Sequence, residues 1–345
     1  MIEVLIVEDS STVRKIMSSI LQSDPEITIV GEVSNGREAI SFLERAKRRP
    51  DLITADIHMP VMNGFDMIEY IMAYFPIPIL VVTNLGKDTN YMRALSLGAL
   101  DVIEKPALDE WNNFPKIGLE IIEKIKLLSR VKVVTHLSGK KRNVESLKKL
   151  KKLDLPAVSE KVVVIASSTG GPNTLLRLLK LLPGNFPAPI FIVQHMSENC
   201  FIEGMVDWFR ISINMNVEII RYGDVFASQT VYFAPAGKHL IISKTQMLSD
   251  NSKAVKNIKP AADYLFKSAV KHFKSNVIGV ILTGIGDDGT EGAVEIFNAG
   301  GVVLAQDEAS SIVYGMPKAV AERNVVSKVA DMEGIAQELL RLVIK

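Results

Sequence analysis

The chain holds one cysteine, Cys200, which excludes a disulfide framework and any multi-cysteine metal site and fits a reducing compartment. Charge of one sign is missing too: 40 Lys and Arg against 39 Asp and Glu leave a formal net charge of +1. That balance argues against a nucleic-acid machine and against a partner surface of strong opposite charge. Long hydrophobic runs are absent, with no stretch near the roughly 18–20 apolar residues of a membrane helix. The apolar run within MIEVLIVEDS is too short for a signal peptide and has acids at both ends. A cytoplasmic protein with no direct membrane insertion and no nucleic-acid partner is therefore expected. What is present is 345 residues, 48% apolar and 23% charged, enough for two globular domains with a core each.

The first part alternates strand and helix patterns. Apolar runs at Val4–Val7, Ile27–Val33, Leu52–Ala55, Ile79–Val82 and Val102–Ile103 read as strands. Helical spacing follows in Val13, Ile16, Met17, Ile20 and Leu21, in Ile68, Ile71, Met72 and Phe75, and from Phe114 to Leu128. Such strand–helix units predict a parallel sheet covered on both faces. Basic residues then crowd 124–152, where Glu145 is the one acid. Residues 126–159 read as a basic linker, in the plainer view a solvated tether and in the sharper one a dock for an acidic surface. Strands resume at Val162–Ile165, Ile190–Val193 and Val277–Leu282, with a helical stripe of Leu175, Leu176, Leu179 and Leu182. Val231–Phe233 and Leu240–Ile242 flank Pro235 and Gly237, as in a hairpin with a longer loop. Ile335 to Ile344 reads as a closing helix. Residues 160–345 are thus expected to form a second α/β domain.

Functional groups of a parallel α/β sheet gather beyond the carboxyl ends of its strands. Glu8, Asp9, Asp56, Thr83 and Lys105 fall there, ordered along the five strands. Crowded carboxylates repel unless a cation sits among them, and such oxygen ligands suit Mg²⁺. A lysine nearby balances charge on an incoming phosphoryl group, a threonine hydroxyl bonds it, and Asp56 is the natural acceptor. Ordinary strand-end acids facing solvent are the plain alternative for any one of these residues, but not for the set. The words IVEDS, TADIHMPVMNGFD, VVTN and EKP resemble response-regulator receiver domains, over about residues 1–125. The resemblance implies a flavodoxin-like five-stranded sheet and phosphorylation of Asp56 by a histidine kinase. It also implies Mg²⁺ held by Asp9, Asp56 and the His58 backbone carbonyl, assisted by Glu8. Residues 102–104 are Val, Ile and Glu, without the aromatic ring that many receivers carry there.

In the second half, VVVIASSTGGP runs from a strand into a loop of small residues. Gly170 and Gly171 allow a sharp bend, and Pro172 suits a first helical turn. A serine there lies near the positive end of a helix dipole, where an oxyanion is stabilised. Glycine-rich turns of this kind more often bind phosphate, and Ser168 could be a helix cap. No Gly-Lys-Ser/Thr follows, which excludes a P-loop, and TGGP lacks the spaced glycines of a dinucleotide site. IFIVQHM places His195 just past a second strand, and GIGDDGTEG places Asp287 and Asp288 in a loop past a third. Ser168, His195 and Asp288 match a nucleophile–base–orienter set. Their chain order differs from that of the α/β-hydrolases.

ASSTGGP, QHM, YFAPAGKHL, LTGIGDDGTEG and LAQDEASSIVYGMPKAV together resemble the chemotaxis protein-glutamate methylesterase family, CheB, over about residues 160–345. The resemblance implies a doubly wound α/β catalytic domain and a serine carboxylesterase that needs no cofactor for its ester chemistry. Its expected substrate is the glutamate methyl esters of chemoreceptors, and receptor glutamine deamidation is expected too. It implies Ser168 as nucleophile, His195 as base, Asp288 as orienting carboxylate, and Thr169 and Ile285 beside the oxyanion. It further implies that the unphosphorylated receiver covers the esterase cleft. Ala166, Ile285 and Thr290 depart from the family's usual glycine, methionine and alanine. Rival readings are a phosphorylation-controlled adaptor without turnover, a nucleotide-binding oxidoreductase, and a DNA-binding regulator. The last lacks a short basic helix-turn-helix segment in this chain.

Overall fold

The computed structural model describes all residues except 85–89, 106–113, 132, 134–157, 197–201, 245, 251, 253, 255–257 and 345. Cys200, Pro106 and most of the basic linker lie outside the described residues. The chain divides into two compact units, Met1–Lys140 and Lys141–Lys345, a division that falls within residues 126–159.

The first unit is a five-stranded parallel sheet in the order β2-β1-β3-β4-β5. Its strands are β1 (Ile2–Val7), β2 (Ile27–Val33), β3 (Leu52–Ala55), β4 (Ile79–Thr83) and β5 (Asp101–Glu104). The continuous apolar runs of β1, β3 and β4 follow from burial on both faces of the sheet. The helices are α1 (Ser11–Gln22), α2 (Gly36–Arg45), α3 (Gly64–Tyr74), α4 (Asn90–Ser96) and α5 (Phe114–Leu128). Caps set three of their starts: Ser10, Asn35 and Asn63 accept from Val13, Glu38 and Asp66 backbone N–H groups. The chain leaves β1 toward β2 on one side and reaches β3 on the other. A crevice therefore opens beyond the ends of β1 and β3.

The second unit is a seven-stranded parallel sheet, β14-β13-β12-β6-β7-β9-β8. Its inner strands are β12 (Val277–Ile281), β6 (Val162–Ser167), β7 (Ile190–Gln194) and β9 (Thr230–Phe233), every residue of which is buried. Outside them lie β8 (Asn216–Ile219), β13 (Val302–Gln306) and β14 (Lys328–Ala330). The helices are α6 (Gly171–Leu181), α7 (Ile202–Ser212), α8 (Ala262–Phe273), α9 (Thr290–Asn298), α10 (Met316–Ala321) and α11 (Met332–Val343), the expected closing helix.

One expectation fails. Val231–Phe233 and Leu240–Ile242 do not form a hairpin. β9 pairs in parallel with β7 and β8, and the hairpin lies further on. It joins β10 (His239–Ile242) to β11 (Met247–Asp250) in antiparallel register. The fully buried β9 has the apolar content of a central strand, and Gly237, at φ +65°, turns the chain out of that sheet.

Candidate active site and phosphoacceptor pocket

Four strands build the acidic pocket of the first unit, not five: Glu8 and Asp9 both follow β1, and β2 contributes nothing. Asp56 follows β3, Thr83 closes β4 and Lys105 follows β5. Asp56 is buried, and both of its carboxylate oxygens are engaged. Oδ1 accepts from the Ile57 N–H at 2.6 Å, the His58 N–H at 3.3 Å and the Thr83 hydroxyl at 2.6 Å. Oδ2 lies 2.6 Å from Lys105 Nζ, which is also 2.7 Å from Glu8 Oε2. Burial raises the Glu8 carboxyl above its ordinary range; the negative charge of Asp56 adds to this, and Lys105 and the Ser10 N–H offset it in part. Glu8, Asp9 and Asp56 each bring an oxygen within 4.8 Å of the others, a hard-oxygen set of the kind Mg²⁺ takes.

Sequence reasoning missed Gly64 here. A Cβ at that position would stand 2.3 Å from the Asp56 carbonyl oxygen and 2.7 Å from Ile57 Cα. Glycine thus lets the start of α3 close onto the Asp56 turn, and its place just after the Asn63 cap was the available signal.

In the second unit, the loops after β6, β7 and β12 carry Ser168, His195 and Asp288. These strands are neighbours in the sheet, so residues from three distant stretches arrive side by side. His195 Nε2 lies 2.7 Å from Asp288 Oδ2. Asp288 Oδ2 also accepts from the Ala262 N–H at 2.6 Å, and Oδ1 from those of Asp263 and Gly289 at 3.2 and 3.0 Å. The carboxylate thus sits on the N-terminal turn of α8, where backbone donors and the helix dipole favour negative charge. Burial works to raise its pKa, but the bond to His195, the imidazole's charge and the Ala262 and Asp263 N–H groups outweigh it. Asp288 is held below the usual carboxylate range. Asp287, its neighbour in the sequence, is exposed.

Ser168 donates its backbone N–H to Thr283 O at 3.0 Å, fastening the serine turn to the end of β12. Gly284 lies so close that a Cβ on it would stand 2.7 Å from Ser168 Cβ. Among the described residues the Ser168 hydroxyl makes no hydrogen bond to His195. Gly170 adopts φ +75°, caps α6 and is followed by Pro172 in the first turn. Thr169 is buried at this turn, and Ile285 follows Gly284 with its N–H donating to no described group. Thr283 ties the turn to a further loop, its hydroxyl donating to Thr169 O at 3.0 Å and accepting from the Val313 N–H at 2.9 Å. Thr283, Gln306 and Gln194 were not foreseen; each is a buried polar residue at or just past the end of an apolar strand.

A five-stranded parallel sheet with a buried acidic pocket, ahead of an α/β unit with a serine turn and a His–Asp pair, has the make-up of a hydrolase joined to a second, acidic unit. Residues 163–339 match the CheB methylesterase family and residues 4–111 the response regulator receiver domain. The chain is 36% identical over 341 residues to the protein-glutamate methylesterase/protein-glutamine glutaminase 2 of Anaeromyxobacter dehalogenans, covering 99% of this chain and 97% of that one. The Thermotoga maritima protein-glutamate methylesterase/protein-glutamine glutaminase is 35% identical, with 99% and 98% covered. The crystal structure of the Thermotoga maritima CheB methylesterase catalytic domain superposes with a TM-score of 0.52 at 38% identity, covering 54% of this chain and all of that one. The chain belongs to the CheB methylesterase family.

Proposed function

We propose that the protein hydrolyses glutamate γ-methyl esters on chemoreceptors, releasing methanol, with turnover controlled by phosphorylation of Asp56. The observation that carries the reading is the His195–Asp288 pair beside the serine turn. His195 commits Nε2 to Asp288, which leaves Nδ1 to take the proton of Ser168 as its oxygen attacks the ester carbonyl. Asp288 fixes that tautomer and stabilises the imidazolium. The N–H groups of Thr169 and Ile285 hold the oxyanion. The protonated imidazole then returns its proton to the departing methoxide. Water, activated by the same base, cleaves the acyl-enzyme. An amide in place of the ester makes the same chemistry a glutamine deamidation.

In the receiver, Asp9, Asp56 and the His58 carbonyl would hold Mg²⁺, with Glu8 in support; bound there, the cation offsets the charge of the incoming phosphoryl group. Asp56 accepts that group from a histidine kinase, and Thr83 and Lys105, already bonded to its carboxylate, turn to the phosphoryl oxygens. No helix among the described residues is long and apolar enough to cross a membrane. A cytoplasmic location, where kinase and receptor tails meet, fits this role. Methanol release from methylated receptor fragments tests the reading. Wild type releases it and Ser168→Ala does not; equal release by both refutes it.

A further inference from the structure

The geometry points to Gln194 as the positioning residue that sets the nucleophile against the base, an assignment that rests on the esterase reading above. Gln194 ends β7, a strand otherwise made of Ile, Phe, Ile and Val, and is 4% exposed. A buried amide is costly unless its polar atoms are paired, and here they are. Oε1 accepts from the Ser167 hydroxyl at 2.7 Å. Nε2 donates to the Ser168 carbonyl at 2.9 Å and to the His195 carbonyl at 2.8 Å. The carbonyls only accept, so the amide has one orientation. A single side chain thus holds the peptide groups of both reacting residues.

The sheet ladder stops short of this point. Its last rungs pair Ser167 with Gln194 and run from the His195 N–H to Ser167 O at 2.8 Å. Beyond them, the amide carries the β6–β7 alignment into the two loops. Gly171 is shaped to admit it: a Cβ there would stand 2.1 Å from Gln194 Oε1. The second glycine of TGGP therefore serves the amide, not a phosphate. Glutamate at 194 would set a carboxylate oxygen against two carbonyl oxygens, and methionine would leave both carbonyls without a donor.

The test measures methanol release by the full-length protein on methylated receptor fragments, with kcat and KM separated, well below each variant's melting midpoint. Gln194→Glu and Gln194→Met are expected to lose on the order of 10–100-fold in kcat, the scale of an ångström-level misplacement, with KM within about twofold of wild type. Labelling of Ser168 by a sulfonyl fluoride, scored per folded molecule, slows in parallel. Gly171→Ala lowers kcat when Gln194 is present and costs little further in Gln194→Ala. Wild-type kcat in Gln194→Met, a loss confined to KM or to the folded fraction, or an equal cost of Gly171→Ala in both backgrounds overturns the assignment. Activity in Ser168→Ala overturns the esterase reading instead.

Discussion

Asp288 keeps its charge although it is 94% buried, because four donors converge on its two oxygens. Asp288→Asn is expected to lower kcat by about 10⁴-fold, the scale of an orienting carboxylate in a serine protease. Its depressed pKa also fixes a sign for acid stability. Unfolded, an aspartate titrates near about 3.9; folded, this one titrates lower. The charged carboxylate's contribution is whole above the unfolded value and is lost as pH falls through the folded one. The stability gap between wild type and Asp288→Asn, from urea unfolding, therefore narrows from about pH 4 downward; a constant gap would refute this. Thr54 shows the opposite case. Its hydroxyl, within β3, is buried and has no hydrogen-bond partner. Thr54→Val removes an unsatisfied group from a site of the same shape and is expected to stabilise the first unit by about 1 kcal/mol in denaturant unfolding.

The elements themselves were legible to the extent that apolar patterning decides them. The runs of the central strands and the stripe of α6 stand in the sequence because both faces of the sheet are covered, and Ser168, His195 and Asp288 could be assigned to strand ends from those runs alone. What could not be read was pairing. Val231–Phe233 and Leu240–Ile242 have equal claim to a hairpin by local pattern; partners remote in sequence put the first into the main sheet. Close approaches of backbone were equally hidden, since a glycine does not announce its neighbour. Gly64 is the clearest instance. Gly64→Ala drives a methyl group into the Asp56 turn and is expected to cost about 1–3 kcal/mol, as overpacking does. Phosphate uptake from acetyl phosphate should fall with it; uptake and unfolding midpoint both unchanged would count against that account.

For the whole molecule, the proposed function makes ester hydrolysis by the second unit a response to phosphorylation of the first. Beryllofluoride with Mg²⁺ is expected to raise kcat of the wild type and to leave Asp56→Asn unmoved; an equal rise in both would detach the control from Asp56. The order of the seven-stranded sheet has a further consequence, in time rather than in space. β12 reaches the sheet more than a hundred residues after its partner β6, and it brings the carboxylate that completes the His195 pair. Distant pairing of this kind is slow to close. The serine turn and the histidine are therefore synthesised well ahead of the carboxylate that joins them, and the proposed site is among the last features of the second unit to assemble.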